Sequence, residues 1–162
     1  MAPRIRPLSI LAGEALKSKG LTLATAESCT GGLLSKLVTD AAGSSDYFRG
    51  GVIAYSNDIK EGLLKVRAAT LNKYGAVSVE TAGEMARGVK KGIKASIGVS
   101  ITGIAGPGGG RPGKPVGTVY IGASKGRATI VKKFLFKGSR AIVRKRSAEE
   151  ALKLIIRLAK GA

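Results

Sequence analysis

The chain has 162 residues, with 28 Lys and Arg against 10 Asp and Glu, and contains no histidine. This length predicts one domain with a core of its own. The missing histidines exclude a Ser-His-Asp triad, a Cys-His pair and a His-ligated zinc, and the single cysteine, Cys29, excludes an internal disulfide and thiolate metal sites. An enzyme made from these residues needs Lys, Asp, Glu or Tyr as its general base.

The formal net charge is +18, and residues 125–162 carry 12 of the 28 basic side chains. Such a charge indicates an anionic partner, or only a basic, well-solvated surface. No apolar run approaches the roughly 20 residues that span a bilayer, and the N-terminus lacks the pattern of a signal peptide. We therefore expect no membrane partner and a cytoplasmic location.

Apolar periodicity predicts alternating helices and strands. In chain order, the predicted elements are helix 8–19, a strand, turn and helix over 21–42, strand 45–55 with a bulge at Gly50-Gly51, short helices 59–65 and 68–74, helix 79–96, strand 97–102, loop 103–113, strands 118–123 and 128–136, and helix 140–160. Asp58 is expected to cap helix 59–65. For the last helix we expect a cap at Ser139, the alternative being a start at Ser147.

Early alternation of helices with strands, followed by a hairpin, is typical of one architecture. We expect a three-layer α/β/α domain with a mixed, mostly parallel sheet and helices on both faces. The sequence shows no repeat and no internal linker, so residues 1–162 are expected to form one unit.

The first candidate site is the polar turn between the first strand and the next helix. Ser28 is predicted near a helix N-terminus, where it is either a plain N-cap or a nucleophile whose oxyanion nearby N–H groups stabilise. Glu27 and Thr30 add more polar side chains than a cap needs, and Gly31-Gly32 let another group approach the backbone. Cys29 is either a competing nucleophile or a small buried hydrophobic residue.

A second candidate is the block that runs from Tyr55 to Lys60. In a chain without histidine, a lysine beside a serine serves as a general base when burial or a neighbouring cation lowers its pKa. Tyr55 ends a predicted strand and Lys60 lies two residues beyond Asp58, so the side chains of Tyr55 and Lys60 can face a common site across the turn. The alternative for Lys60 is a solvated lysine on a charged face.

The glycine-rich segment from Thr102 to Pro115 is the third candidate. It formally contains G-x-G-x-x-G and G-x-x-x-x-G-K, but a strand follows where both motifs require a helix, and position 115 is not Ser or Thr. It is therefore neither a dinucleotide fingerprint nor a Walker A loop. It either wraps N–H groups around a phosphate or carboxamide or simply connects two strands.

Arg140 and Arg144 lie one helical turn apart and hence on one face of the last helix. Paired arginines suit bidentate binding of phosphate or carboxylate. The alternative is a basic solvated face together with Lys145 and Arg146.

Four blocks in this order resemble the CinA C-terminal domain family, the nicotinamide-nucleotide amidases. The blocks are Ala26-Glu-Ser-Cys-Thr-Gly-Gly32, Ala54-Tyr-Ser-Asn-Asp-Ile-Lys60, Val79-Glu-Thr-Ala-Gly-Glu-Met-Ala86, and Thr102-Gly-Ile-Ala-Gly-Pro-Gly-Gly109 with Lys114-Pro-Val-Gly-Thr-Val-Tyr-Ile-Gly122. The resemblance spans about residues 8–160. It implies an α/β/α domain that converts nicotinamide mononucleotide to nicotinate mononucleotide and ammonia in pyridine-nucleotide salvage, without metal or organic cofactor.

By motif, the resemblance implies Ser28 as nucleophile, Lys60 as its base and Tyr55 as a partner in the same network. The implied substrate-binding residues are Glu27, Thr30, Gly31, Gly32, Asn57, Thr102, Gly103, Gly106, Gly108, and Arg140 or Arg144. The family usually has Gly-Asp-Arg where this chain has Gly138-Ser139-Arg140, which leaves the phosphate-binding arginine open. The family is also often fused to an N-terminal competence/damage-associated domain, whose role is not transferred.

Two alternative functions are also compatible with the sequence. One is a non-catalytic basic module for nucleotides or nucleic acid, against which the scarcity of aromatic residues and of nucleic-acid motifs counts. The other is an amidase for a different small amide. Because homologous domains tend to self-associate, we also expect a homo-oligomer.

Overall fold

The computed structural model describes residues 6–161. The helices are α1 (Leu8–Ser18), α2 (Leu33–Thr39), α3 (Asn57–Gly62), α4 (Ala68–Tyr74), α5 (Val79–Ile93) and α6 (Arg140–Ala159), and the strands are β1 (Leu23–Glu27), β2 (Phe48–Ile53), β3 (Ile97–Gly103), β4 (Thr118–Lys125) and β5 (Ala128–Leu135). None of these helices combines the length and the apolar composition that crossing a bilayer requires.

The five strands form one mixed sheet in the order β2-β1-β3-β4-β5. Strand β1 runs parallel to both of its neighbours, whereas β4 pairs antiparallel with β3 and with β5. All five residues of β1 are buried, as expected for a parallel strand that helices cover on both faces. The predicted mixed sheet is confirmed.

Helices cover both faces of the sheet, which confirms the predicted layers. Helices α1, α2 and α6 pack on one face and α5 on the other. Because successive side chains of a strand point to opposite faces of the sheet, the buried residues form one core cluster on each face. Leu23 joins the cluster beneath α6, whereas Ala24 and Ala26 join the cluster that contains Met85 of α5.

The face beneath α5 is built from small residues. Ser100 donates a 2.6 Å hydrogen bond to the Ala82 carbonyl of α5. A Cβ at Gly122 would lie 2.6 Å from that same carbonyl oxygen, and a Cβ at Gly98 would lie 2.9 Å from the backbone nitrogen of Lys90. Small side chains on β3 and β4 therefore let the backbone of α5 lie directly on the sheet.

The predicted strand 45–55 is shorter in the structure. Residues Ser44–Asp46 form a 3₁₀ turn, and β2 begins at Phe48. The register pairs Leu23 with Phe48 but Ala24 with Gly50, so β2 contains one extra residue immediately before the glycine pair. A β-bulge therefore lies next to the predicted position.

Serine residues cap both α3 and α6. Helix α3 is capped by Ser56, whose Oγ accepts the N–H of Ile59 at 3.4 Å, so the prediction of a cap at Asp58 is wrong; Asp58 lies inside the first turn. Helix α6 is capped by Ser139 as predicted. Ser147 lies within that helix, and its hydroxyl donates to the Val143 carbonyl at 2.7 Å.

Candidate active site

The candidate site lies at one edge of the sheet, where the parallel strands β1, β2 and β3 all end. Ligand sites of open α/β sheets form at the carboxyl ends of strands, and here those ends lead into Ser28, Ala54 and Ile104. They border a cleft of about 280 Å³. Its lining residues are Ser28, Cys29, Tyr55, Asn57, Lys60, Ala76, Val77, Thr102, Gly103, Ile104, Ala105, Gly106, Gly108, Gly109, Arg111 and Arg140.

Ser28 is held by its backbone and leaves its hydroxyl for the cleft. Its N–H donates to the Ile101 carbonyl at 2.9 Å, and its carbonyl accepts the Gly31 N–H at 3.0 Å. The residue that precedes α2 is Gly32, not Ser28. The plain N-cap interpretation of Ser28 is therefore wrong.

Glu27 takes over the capping of α2. Its carboxylate accepts the N–H of Leu34 at 2.8 Å and both the N–H and the hydroxyl of Ser35, at 3.0 and 2.7 Å. The side chain is only 1% exposed, and it lies beneath the turn and outside the cleft. A carboxylate at a helix start satisfies otherwise unpaired N–H groups, so Glu27 supports the turn that carries Ser28.

Lys60 lies directly beneath Ser28. Its Nζ donates to the Ser28 Oγ at 3.1 Å and to the Ala54 carbonyl at 2.8 Å. The Ala54 N–H in turn donates to the Glu27 carbonyl at 2.7 Å. The backbone of one residue, Ala54, thus extends the β1–β2 pairing through its N–H and positions the lysine against the serine through its carbonyl.

Burial sets the protonation of this lysine. Lys60 is 1% exposed, and no Asp or Glu among the described residues forms a salt bridge with it. Burial therefore lowers the pKa of Lys60 below its ordinary value. A lowered pKa makes the neutral amine, which accepts a proton, more available near neutral pH.

This lowered pKa predicts a pH-dependent stability difference between wild type and Lys60→Met. Below the folded-state pKa, Lys60 is charged in both the folded and the unfolded chain, and the burial of its charge lowers the free energy of unfolding of the wild-type protein by its full amount. As the pH rises from that pKa to the ordinary value of about 10.4, the unfolded chain binds more protons, so wild type gains stability relative to the variant. Urea unfolding of both proteins between about pH 7 and 10 measures this, and a constant difference would contradict it.

Tyr55 and Arg140 meet at the mouth of the cleft. Arg140 donates to the Tyr55 hydroxyl at 3.0 Å and to the Gly106 carbonyl at 2.8 Å. Tyr55 is 60% exposed. Its hydroxyl therefore contacts Arg140, and the structure does not bring it into the hydrogen bond between Ser28 and Lys60.

Arg144 lies behind the turn. It donates to the carbonyls of Cys29 and Thr30 at 3.2 and 2.9 Å. Because Arg144 binds these two carbonyls of the turn and does not line the cleft, it supports the turn, whereas Arg140 lines the cleft.

Nearly the whole chain matches one known protein family. The family model of the CinA C-terminal domain matches residues 6–159 of this chain. The chain belongs to the CinA C-terminal domain family. The resemblance noted in the sequence is therefore confirmed.

Individual relatives agree with this assignment. The CinA-like protein of Thermotoga maritima is 52% identical over 146 residues, which are 90% of this chain and 36% of that relative. The chain thus spans about a third of the length of such relatives. A CinA superfamily protein from Klebsiella pneumoniae superposes with a TM-score of 0.92 at 32% identity, covering 96% of this chain and 97% of that one. A competence/damage inducible protein from Agrobacterium tumefaciens gives 0.89 at 36% identity, covering 98% and 99%.

The CinA motifs divide between the cleft and its support. The predicted residues that line the cleft are Ser28, Tyr55, Asn57, Lys60, Thr102, Gly103, Gly106, Gly108 and Arg140; those outside it are Glu27, Thr30, Gly31, Gly32 and Arg144. Thr102 is buried, and its hydroxyl donates to the Ala76 carbonyl at 2.7 Å. This bond ties the end of β3 to the link between α4 and α5.

The lining residues outside every predicted segment are Ala76 and Val77; Ile104, Ala105, Gly109 and Arg111 lie in the predicted glycine-rich segment but were not named individually as site residues. No local pattern marks Ala76 or Val77, because a long-range bond brings them to the cleft. Arg111 could have been found from the sequence, because it is a cationic residue that directly follows the glycine run Gly108–Gly110.

Cys29 also borders the cleft but is suited to packing. Its side chain is buried, and burial raises the pKa of Cys29 to about 11. A thiol with this pKa stays protonated at neutral pH, and only the thiolate is a strong nucleophile. Burial therefore makes Cys29 a weaker candidate nucleophile than Ser28.

Proposed function

We propose that this domain hydrolyses the carboxamide of nicotinamide mononucleotide to nicotinate mononucleotide and ammonia. The observation that carries the proposal is the 3.1 Å contact between Ser28 Oγ and the buried Lys60 Nζ at the base of the cleft. A serine beside a lysine with a lowered pKa is a nucleophile with its own base. Membership of the CinA family supports this reaction class.

The proposed reaction has two stages. Neutral Lys60 accepts the Ser28 proton as Oγ attacks the carboxamide carbon and forms a tetrahedral oxyanion. The Lys60 ammonium then returns a proton to the leaving nitrogen, the C–N bond breaks, ammonia departs and an ester remains on Ser28. A water molecule deprotonated by Lys60 attacks this ester, releasing the carboxylate product and restoring the serine hydroxyl.

The remaining lining residues suggest the orientation of the substrate. The backbone N–H of Cys29 donates to no other residue of the described chain, so it is a candidate donor to the oxyanion. Arg140, at the mouth of the cleft, is the one of the two predicted arginines that we propose faces the substrate. The amide therefore enters first, and the nucleotide lies towards the glycine-rich loop.

The test is ammonia release by wild-type protein from nicotinamide mononucleotide, with nicotinamide, NAD and nicotinamide riboside assayed in parallel. We expect the mononucleotide to give the highest kcat/KM. Equal release from free nicotinamide would replace the proposal by an amidase for a simpler amide. Release from none of the compounds would overturn it.

The net charge of +18 favours one competing function, binding of nucleic acid. That function requires affinity for DNA or RNA that falls steeply with salt concentration. Titrating labelled single-stranded and duplex DNA and RNA at low and physiological salt distinguishes the two functions. Binding only at low salt would leave the amidase as the sole proposal.

A further inference from the structure

The side chains that line the cleft are neutral or positively charged, and the charged ones differ between its base and its rim. None of its 16 lining residues is Asp or Glu, and its three charged residues are Lys60, Arg111 and Arg140. Lys60 is buried at the base beside Ser28, whereas both arginines are exposed at the rim. A ligand that fits this arrangement has an uncharged group at its inner end and an anion at its outer end.

The two rim arginines differ in what their side chains already bind. Arg140 donates to the Gly106 carbonyl and to the Tyr55 hydroxyl. No hydrogen bond or ion pair among residues 6–161 involves the side chain of Arg111, although its backbone is bonded. The uncommitted guanidinium at the rim is therefore that of Arg111.

The backbone fixes where Arg111 is presented. Its N–H donates to the Lys114 carbonyl at 3.0 Å, and its carbonyl accepts the Lys114 N–H at 2.9 Å, which closes a tight turn. Gly113 supplies the positive φ of +78° in that turn. Lys114 Nζ also donates to the Tyr74 carbonyl at 2.9 Å, which fastens the turn to the end of α4. Holding the backbone in place reduces the ordering cost of binding.

We infer that Arg111 determines specificity by binding the phosphate of a mononucleotide whose carboxamide lies at Ser28. The inference rests on the proposed function and adds the group that distinguishes a nucleotide from its phosphate-free riboside. A guanidinium donates two parallel N–H bonds to two phosphate oxygens. The cleft offers no carboxylate that competes for it.

The experiment compares nicotinamide mononucleotide with nicotinamide riboside in wild type, Arg111→Ala and Arg111→Lys. We expect Arg111→Ala to raise KM for the mononucleotide by about 10- to 100-fold, the effect of losing a charged hydrogen-bond partner. The ratio of kcat/KM for mononucleotide over riboside should fall by the same factor, and Arg111→Lys should recover part of it. Arg127→Ala, in the exposed turn between β4 and β5, is the matched control.

Failure of this inference can be separated from failure of the proposed function. Dissociation constants of both ligands, measured by calorimetry on Ser28→Ala protein with and without Arg111→Ala, report phosphate recognition even where wild type shows no turnover. A mononucleotide-specific loss of affinity supports the inference. An equal loss for both ligands, or no change, overturns it.

Discussion

Replacing Lys60 by methionine is expected to lower kcat for ammonia release by about 100- to 10,000-fold, the usual contribution of a general base. Within residues 6–161 the Lys60 Nζ donates to the Ser28 Oγ and to the Ala54 carbonyl, and in the proposed reaction it moves the serine proton and does not bind the ground-state substrate. KM should therefore change much less than kcat. Steady-state ammonia release over a range of substrate concentrations separates the two constants.

The pairing of Lys60 with Ser28 sharpens this expectation. Ser28→Ala should be at least as inactive, and the double variant should be no worse than the more damaging single one, because groups that act as one unit lose their effect together. Lys65→Met, an exposed lysine beyond the same helix, and Cys29→Ala are the controls. Loss of activity in Cys29→Ala with retention in Ser28→Ala would reject the mechanism.

Gly88→Ala is expected to destabilise the fold by about 2 to 3 kcal/mol, towards the upper end of overpacking effects. A Cβ at Gly88 would meet the carbonyl oxygen of Leu64 and would lie 2.8 Å from its carbonyl carbon. Backbone cannot rotate away as a side chain can, so α5 and the segment after α3 must separate. The Val66 N–H donates to the Lys60 carbonyl at 3.0 Å, so this separation should also reduce activity.

Gly92 provides a matched control in the same helix. No atom lies within 4 Å of a Cβ built there, so Gly92→Ala should gain up to about 1 kcal/mol from helix propensity. Urea unfolding and ammonia release of both variants test the pair. Gly88→Ala protein as stable as Gly92→Ala protein would show that the close approach of α5 to Leu64 is unimportant.

Periodicity along the sequence was sufficient to predict the elements of the fold. It placed α5 and α6 because their apolar positions recur at helical spacing, and it placed the sheet because buried strands alternate with them. The predicted cap of α3 at Asp58 was wrong and Ser56 caps the helix, because both residue types accept an N–H equally well and residue type alone does not decide between them. That choice depends on where the chain leaves β2.

The site was predicted less completely because several of its features depend on where a helix begins relative to the sheet. Arg140 and Arg144 lie on one face of α6 one turn apart, and Arg140, the first residue of the helix, is the one that lines the cleft. The cap role of Glu27 likewise depends on where α2 begins relative to β1. The spacing of residues in the sequence gives neither the position of α6 nor the start of α2 relative to the strands.

Strand β2 lies at the edge of the sheet and pairs with β1 alone. Ala54, the residue that follows it, accepts a hydrogen bond from the Lys60 Nζ at its carbonyl and donates its N–H to the Glu27 carbonyl. Edge strands open locally at a lower free energy than strands in the middle of a sheet. Local unfolding of β2 would therefore separate Lys60 from Ser28 while β3, β4 and their helices stay folded. We expect the site to lose activity by this local unfolding before the whole domain unfolds.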